Sequence, residues 1–322
     1  MSTPCARQAA NVSMRRINQC GGLARSPNSQ RSPNQGQVLY SRNATNTTAS
    51  VGSRKIPKVL LAGGGVMAAT IALGLTQTQV AQATVVEDRI QGVVQYVDGL
   101  YDSNKWKEAL TYLEQHKDTN NHELLWRLAR LCYKVGKYHS SGPEESRQLS
   151  VRGMEYADRA VRAGPNNFAC HKWKGVLISY SSEFDGYKKK IERSFDIKDS
   201  FKRAIQLNPN DPTCRHLLGQ WCYGVSSVPW YQKKLATMIF ATPPNSDFEE
   251  SLQHFQQAEQ IDPGFYPMNW LYIGKSLLQL GRVEEAGDWL RKAANYQSQL
   301  GDDIEAKEEA TGLLKRLGLS LS

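Results

Sequence analysis

The side chains best placed to do chemistry in this chain are cations. Lys188, Lys189 and Lys190 run into Arg193, Lys198, Lys202 and Arg203. Such a patch attracts an acidic protein surface, with a grip that weakens as salt rises. The same stretch carries Glu183, Asp185, Glu192, Asp196 and Asp199. Those carboxylates can turn the patch into an ordinary solvated helix face. A second cluster joins Trp230 and Tyr231 to Lys233 and Lys234. Aromatic plus basic residues can stack and neutralise a nucleic acid. The expectation here is instead a helix that turns Trp230 inward and its lysines outward, with no nucleic-acid partner.

Nothing resembling a catalytic constellation accompanies these clusters. No G-x-S-x-G or H-E-x-x-H occurs, and Gly63 to Gly65 lack the Lys-Ser/Thr of a phosphate loop. His171 sits beside Trp173 in a helical pattern and reads as a packed or surface histidine. The six cysteines contain no C-x-x-C pair, and no histidines complete a zinc spacing. They read as reduced, structural thiols on apolar faces. The chain is therefore expected to be no enzyme and to need no cofactor or metal.

The formal charge of +9 is misleading as a guide to the partner. Residues 1–86 hold nine Lys or Arg and no Asp or Glu, so the rest of the chain is neutral in sum. Residues 1–58 form a basic leader rich in Ser, Asn and Gln. It is expected to be disordered, and its acid-free, Arg-rich composition fits a mitochondrial transit segment. The N-x-[ST] sequons at Asn11, Asn43 and Asn46 would matter only on a secreted chain, and the first residues do not show the basic-then-apolar order expected of a secretory signal. Residues 59–75, VLLAGGGVMAATIALGL, are uncharged and follow Arg54, Lys55 and Lys58. They are a candidate membrane anchor, slightly short for a ~30 Å hydrocarbon core, or else a buried helix or loose linker. Residues 76–86 read as a linker.

From residue 87 to 322 the apolar spacing is helical throughout. The elements repeat. Ala160 precedes Pro165 by five residues, as Ala204 precedes Pro209 and Ala258 precedes Pro263. Ala157, Phe201 and Phe255 lie three residues before those alanines. Gly175 and Gly219 follow two of the prolines by ten residues, at a position where paired helices cross closely. Trp270, Ile273, Gly274 and Leu277, then Ala286, Leu290 and Ala293, complete the pattern of a tetratricopeptide unit. The expected fold is an all-α, tetratricopeptide-like helix-pair solenoid. It should hold about five repeats and a C-terminal capping helix near 302–317. Three insertions interrupt the regular spacing: SSGPEESRQL, EFDGYKKKIERSFDIK and VSSVPWYQKKLATMIFATPPNSD.

LLWRLAR, the His171–Trp173 segment, and WCY followed by PWYQKKLATMIFATPP and AEQIDPGFY resemble the regulator of microtubule dynamics protein family. The resemblance covers roughly residues 87–318. It implies a helical scaffold that associates with microtubules or spindle poles, with tubulin or other proteins as partners. It also implies mitochondrial anchoring for some members, with cytoplasmic or spindle microtubules as the alternative location. One branch of the family tethers membranes through an acidic phenylalanine-containing motif, and no such motif precedes residue 87. On this reading Lys188, Lys189, Lys190, Arg193, Lys202, Arg203, Trp230, Lys233 and Lys234 are the candidate partner-binding residues. The alternative is a lipid-binding or membrane-contact module with membrane lipid as partner. It would require an apolar tunnel lined by Met238, Ile239 and Phe240. A peptide receptor would require a cationic carboxylate clamp, for which Lys172 and Lys275 are the available cations.

Overall fold

The computed structural model describes residues 77–297 and 301–321. The leader and the candidate anchor at 59–75 lie outside the described residues. Among the described residues every regular element is helical. Five pairs follow one another: α1 (Gln77–Asp102) with α2 (Trp106–Leu113), α3 (His122–Tyr138) with α4 (Pro143–Ala163), and α5 (Phe168–Ser182) with α6 (Tyr187–Leu207). Next, α7 (Pro212–Ser226) pairs with α9 (Phe248–Ile261), and α10 (Pro267–Gln279) with α11 (Val283–Ala294). A short helix, α8 (Trp230–Ile239), lies between α7 and α9 in sequence, and α12 (Gly301–Leu317) packs on α10 and α11 as a cap. No described helix is long and apolar enough to cross a membrane.

The helix ends obey local rules. α4, α6 and α9 each stop two residues before a proline, which cannot donate the next backbone bond. Asn167, Asp211 and Asp247 cap the starts of α5, α7 and α9 with side-chain oxygens. One boundary differs from expectation. α1 begins at Gln77, so residues 77–86, read above as a linker, are helical. Gln and Ala have good helical propensity, and nothing in QTQVAQAT breaks the helix.

The repeat positions are packing positions. Ala157, Ala160, Ala204, Phe255 and Ala258 are fully buried, and Phe201 is nearly so. A Cβ at Gly175 would stand 2.6 Å from the Phe201 ring, and one at Gly219 would stand 2.8 Å from the Phe255 ring. The glycines are required there because an aromatic edge occupies the space where a side chain would begin. Neighbouring helices are also tied by buried polar bonds. Ser251 Oγ donates to the Gly219 carbonyl at 2.9 Å, and Asn269 Nδ2 donates to the Phe255 carbonyl at 3.0 Å.

His216 on α7 completes the second tie, with Nδ1 2.9 Å from Asn269 Oδ1. Burial among Phe255, Phe265, Tyr266 and Tyr272 pulls its pKa down to about 4, although the Asn269 bond and Asp302 oppose the shift. The unfolded chain therefore takes up this proton at a higher pH than the folded chain. Stability should fall by roughly 2 kcal/mol between pH 7 and pH 5. A His216→Gln chain should lose that slope in thermal unfolding. An unchanged slope would show that His216 is not its source.

Candidate functional site

α8 is the least covered element of the array. It starts after Pro229, whose fixed φ suits a helix entrance, and ends at Phe240 in extended backbone. Ala236 is its one buried residue. Trp230 is 76% exposed and Met238 77%, with Leu235, Ile239 and Tyr231 also exposed. The Trp230 and Tyr231 rings meet edge to face, 6.2 Å between centroids. Lys234 is exposed, and the exposed Lys233 donates to the Ser226 carbonyl at 3.2 Å. Neither lysine has an ion-pair partner among the described residues. No Asp or Glu occurs between Asp211 and Asp247.

This corrects the expectation that Trp230 turns inward. α7 and α9 pair with each other and leave α8 without a partner helix, so a single alanine suffices to seat it. Met238 and Ile239 are exposed and do not line the enclosed apolar tunnel that the lipid-binding alternative would require.

The α6 cluster is different. Asp185 holds Lys189 at 3.1 Å and Arg193 at 2.8 Å, and Arg193 also donates to Ser181 Oγ. Lys188 lies 4.0 Å from Glu192. Arg203 donates to Asn166 at 3.2 Å, and Lys198 stacks 4.4 Å from the Trp221 ring centre. Lys202 is exposed. Much of this charge thus ties α6 to its surroundings, whereas the α8 lysines are open.

The two clamp cations are also committed. Lys172 meets Asp211 at 2.9 Å, and Lys275 meets Glu309 of α12 at 2.8 Å. α12 reaches α3 as well: Asp302 accepts from the Tyr138 hydroxyl and lies 3.7 Å from Lys137. Burial alone would raise the Asp302 pKa, but the charges of Lys137 and Lys134 outweigh it and hold the group below the usual carboxylate range. Both cations that a peptide's C-terminus would need are therefore occupied by the chain's own carboxylates, Lys172 by Asp211 and Lys275 by Glu309 of the cap.

A further cluster is invisible to linear spacing. Cys222 on α7 and Glu250 and His254 on α9 bring their ligand atoms within 4.8 Å of one another. Burial pushes the Cys222 thiol up to about 11. His254 is held below its ordinary value by burial, with Arg215, Lys202 and Lys198 adding to the effect.

Comparison with known proteins joins these features to a family. The family model described as "Regulator of microtubule dynamics protein 1-3" matches residues 93–318. The chain belongs to this family. It is 39% identical over 254 residues to "Regulator of microtubule dynamics protein 1" of Pongo abelii, covering 78% of this chain and 81% of that one. It is 33% identical over 233 residues to "Regulator of microtubule dynamics protein 3" of Mus musculus, covering 69% of this chain but 49% of the relative. Among solved structures, a thermophilic TPR protein of Thermus thermophilus superposes with a TM-score of 0.50 at 16% identity, over 70% of this chain and 98% of that one. That likeness shows the helix-pair solenoid and nothing about the ligand. Within the matched residues, Trp221 and Cys222 of WCY are buried on α7, whereas PWYQKK leads into α8 and leaves Trp230 and Tyr231 exposed.

Proposed function

We propose that this member of the family is a non-enzymatic scaffold that docks onto microtubules or spindle proteins through α8. The observation that carries the proposal is the exposed Trp230 beside two lysines that have no ion-pair partner among the described residues, in an acid-free stretch of a body that is neutral in sum. An acidic, partly apolar protein surface complements it, and tubulin's acidic tails have that chemistry. Lys188, Lys190 and Lys202 would add long-range attraction, while Lys189, Arg193 and Arg203 mainly position α6. The leader and residues 59–75 would anchor the chain at the mitochondrion, with the helical body beyond the membrane. Cytoplasmic or spindle microtubules are the alternative location.

Co-sedimentation of the full chain with microtubules at low and high salt tests the docking. Binding should weaken with salt, and the triple change Trp230→Ala, Lys233→Glu, Lys234→Glu should weaken it by about tenfold. Equal binding by both chains would rule out α8 as the docking surface. Imaging the C-terminally tagged chain with and without residues 1–86 tests the anchoring, and a diffuse signal from both would refute it.

A second reading, a membrane-contact module, is favoured by the exposure of Leu235, Met238 and Ile239 beside the same lysines. Flotation with anionic and neutral vesicles separates the two. Recovery with vesicles but not with microtubules would select the membrane.

A further inference from the structure

We infer that Cys222, Glu250 and His254 form a zinc(II) site that staples α7 to α9 at the base of the α8 excursion. The three residues supply one sulfur, one oxygen and one nitrogen, all within 4.8 Å. In a tetrahedral zinc site such atoms stand about 3.3–3.6 Å apart, so side-chain rotation of an ångström or so completes the shell. Glu250 and His254 are one helical turn apart on α9 and share a face, and Cys222 meets that face from the packed α7.

Two further observations point to a ligand. His254 Nδ1 is buried and has no hydrogen-bond partner among the described residues, so it is free to act as a ligand. Ser246 is buried and bonds two of the three ligands, with its Oγ 2.5 Å from Glu250 Oε2 and a further hydrogen bond to the Cys222 side chain. It is placed as an outer partner that orients the ligands around the ion.

The ligand chemistry selects the metal. A thiolate with an imidazole and one carboxylate suits zinc, whereas calcium and magnesium require more oxygens. On binding, Cys222 releases its proton to solvent, and the thiolate and carboxylate together neutralise the ion's two charges. Lys198, Lys202 and Arg215 surround His254 and would repel a bare dication, but the completed centre is neutral. Three protein ligands leave a fourth position for water. The two ends of the staple flank residues 227–246, so the ion would hold the exposed α8 on a closed base.

The test titrates cobalt(II), then zinc(II), into the metal-free, reduced full chain. We expect a thiolate-to-cobalt charge-transfer band, its loss on adding zinc, and a zinc-dependent rise in the thermal midpoint. Cys222→Ser and His254→Ala should each abolish the band and weaken zinc binding by at least about tenfold. His254 is only partly buried, so His254→Ala should keep the helical circular-dichroism signal even if Cys222→Ser does not. No charge-transfer band in the parent chain, or an equal band in a folded His254→Ala chain, would overturn the site.

Discussion

Replacing Phe255 with alanine is expected to lower stability by about 3–5 kcal/mol. The ring is fully buried, it contacts His216 and Tyr272, and its edge fills the notch at Gly219. Removing it opens a cavity between α7, α9 and α10 that the rigid helix crossing has little freedom to close. The reciprocal change, Gly219→Ala, should cost about 1–3 kcal/mol, because a new Cβ would stand 2.8 Å from the ring. In a Phe255→Ala background the same change should be far milder. Urea unfolding of the four chains gives the coupling directly. Additive losses would mean that the glycine is not there to admit the aromatic edge.

Asp98→Ala is the second large effect, about 3 kcal/mol. Asp98 on α1 binds Arg127 through Nε at 3.0 Å and Nη2 at 2.7 Å, and binds Arg130 at 2.6 Å. Both guanidinium groups are nearly buried, and Arg130 stacks 3.7 Å from the Tyr101 ring centre. In the variant Arg127 keeps Glu123 at 2.7 Å, but Arg130 loses its carboxylate. A third of the Asp98 side chain meets water, which moderates the loss. Burial would raise the Asp98 pKa, but the hydrogen bonds and charges of the two arginines outweigh burial and hold it below its ordinary value. The folded chain therefore keeps the carboxylate ionised where the unfolded chain takes up a proton. The stabilisation is present above the ordinary carboxylate range and is lost as pH falls through the lowered folded value. Acid unfolding of wild-type and Asp98→Asn chains should converge at low pH, and curves that stay parallel would refute the linkage.

How much was legible in the linear chain follows from the range of each interaction. The Ala-x4-Pro register and the glycines ten residues beyond it are local signals, and each one marks a real helix end or crossing. They suffice for the solenoid, its five pairs and its cap. The candidate site is legible as a set of residue types but not as a surface. The sequence offers Asp185 as one of five carboxylates that could balance the basic patch, and only the fold shows that it holds both Lys189 and Arg193. Trp230 reads as a core residue, yet it is open because α8 has no partner helix. Whether a tryptophan is buried depends on what lies across from it, and periodicity along one helix carries no information about its neighbour.

By itself, then, the sequence determined the helices, their order and the repeat that stacks them, because propensity, capping and 3.6-residue spacing act within a turn or two of chain. It also placed all the excess positive charge in residues 1–86 and made the body neutral in sum. Only the tertiary structure decided what the body shows to a partner. It left α8 uncovered and turned much of the charge of α6 onto that segment's own carboxylates. It also brought α12's acids to the cations of α3 and α10. The same holds for Cys222, Glu250 and His254. No zinc spacing exists along the chain, since Cys222 stands 28 positions before Glu250 and meets it only where α7 crosses α9. Contacts between elements are set by how the faces fit together, and that geometry comes into being only when the pairs close.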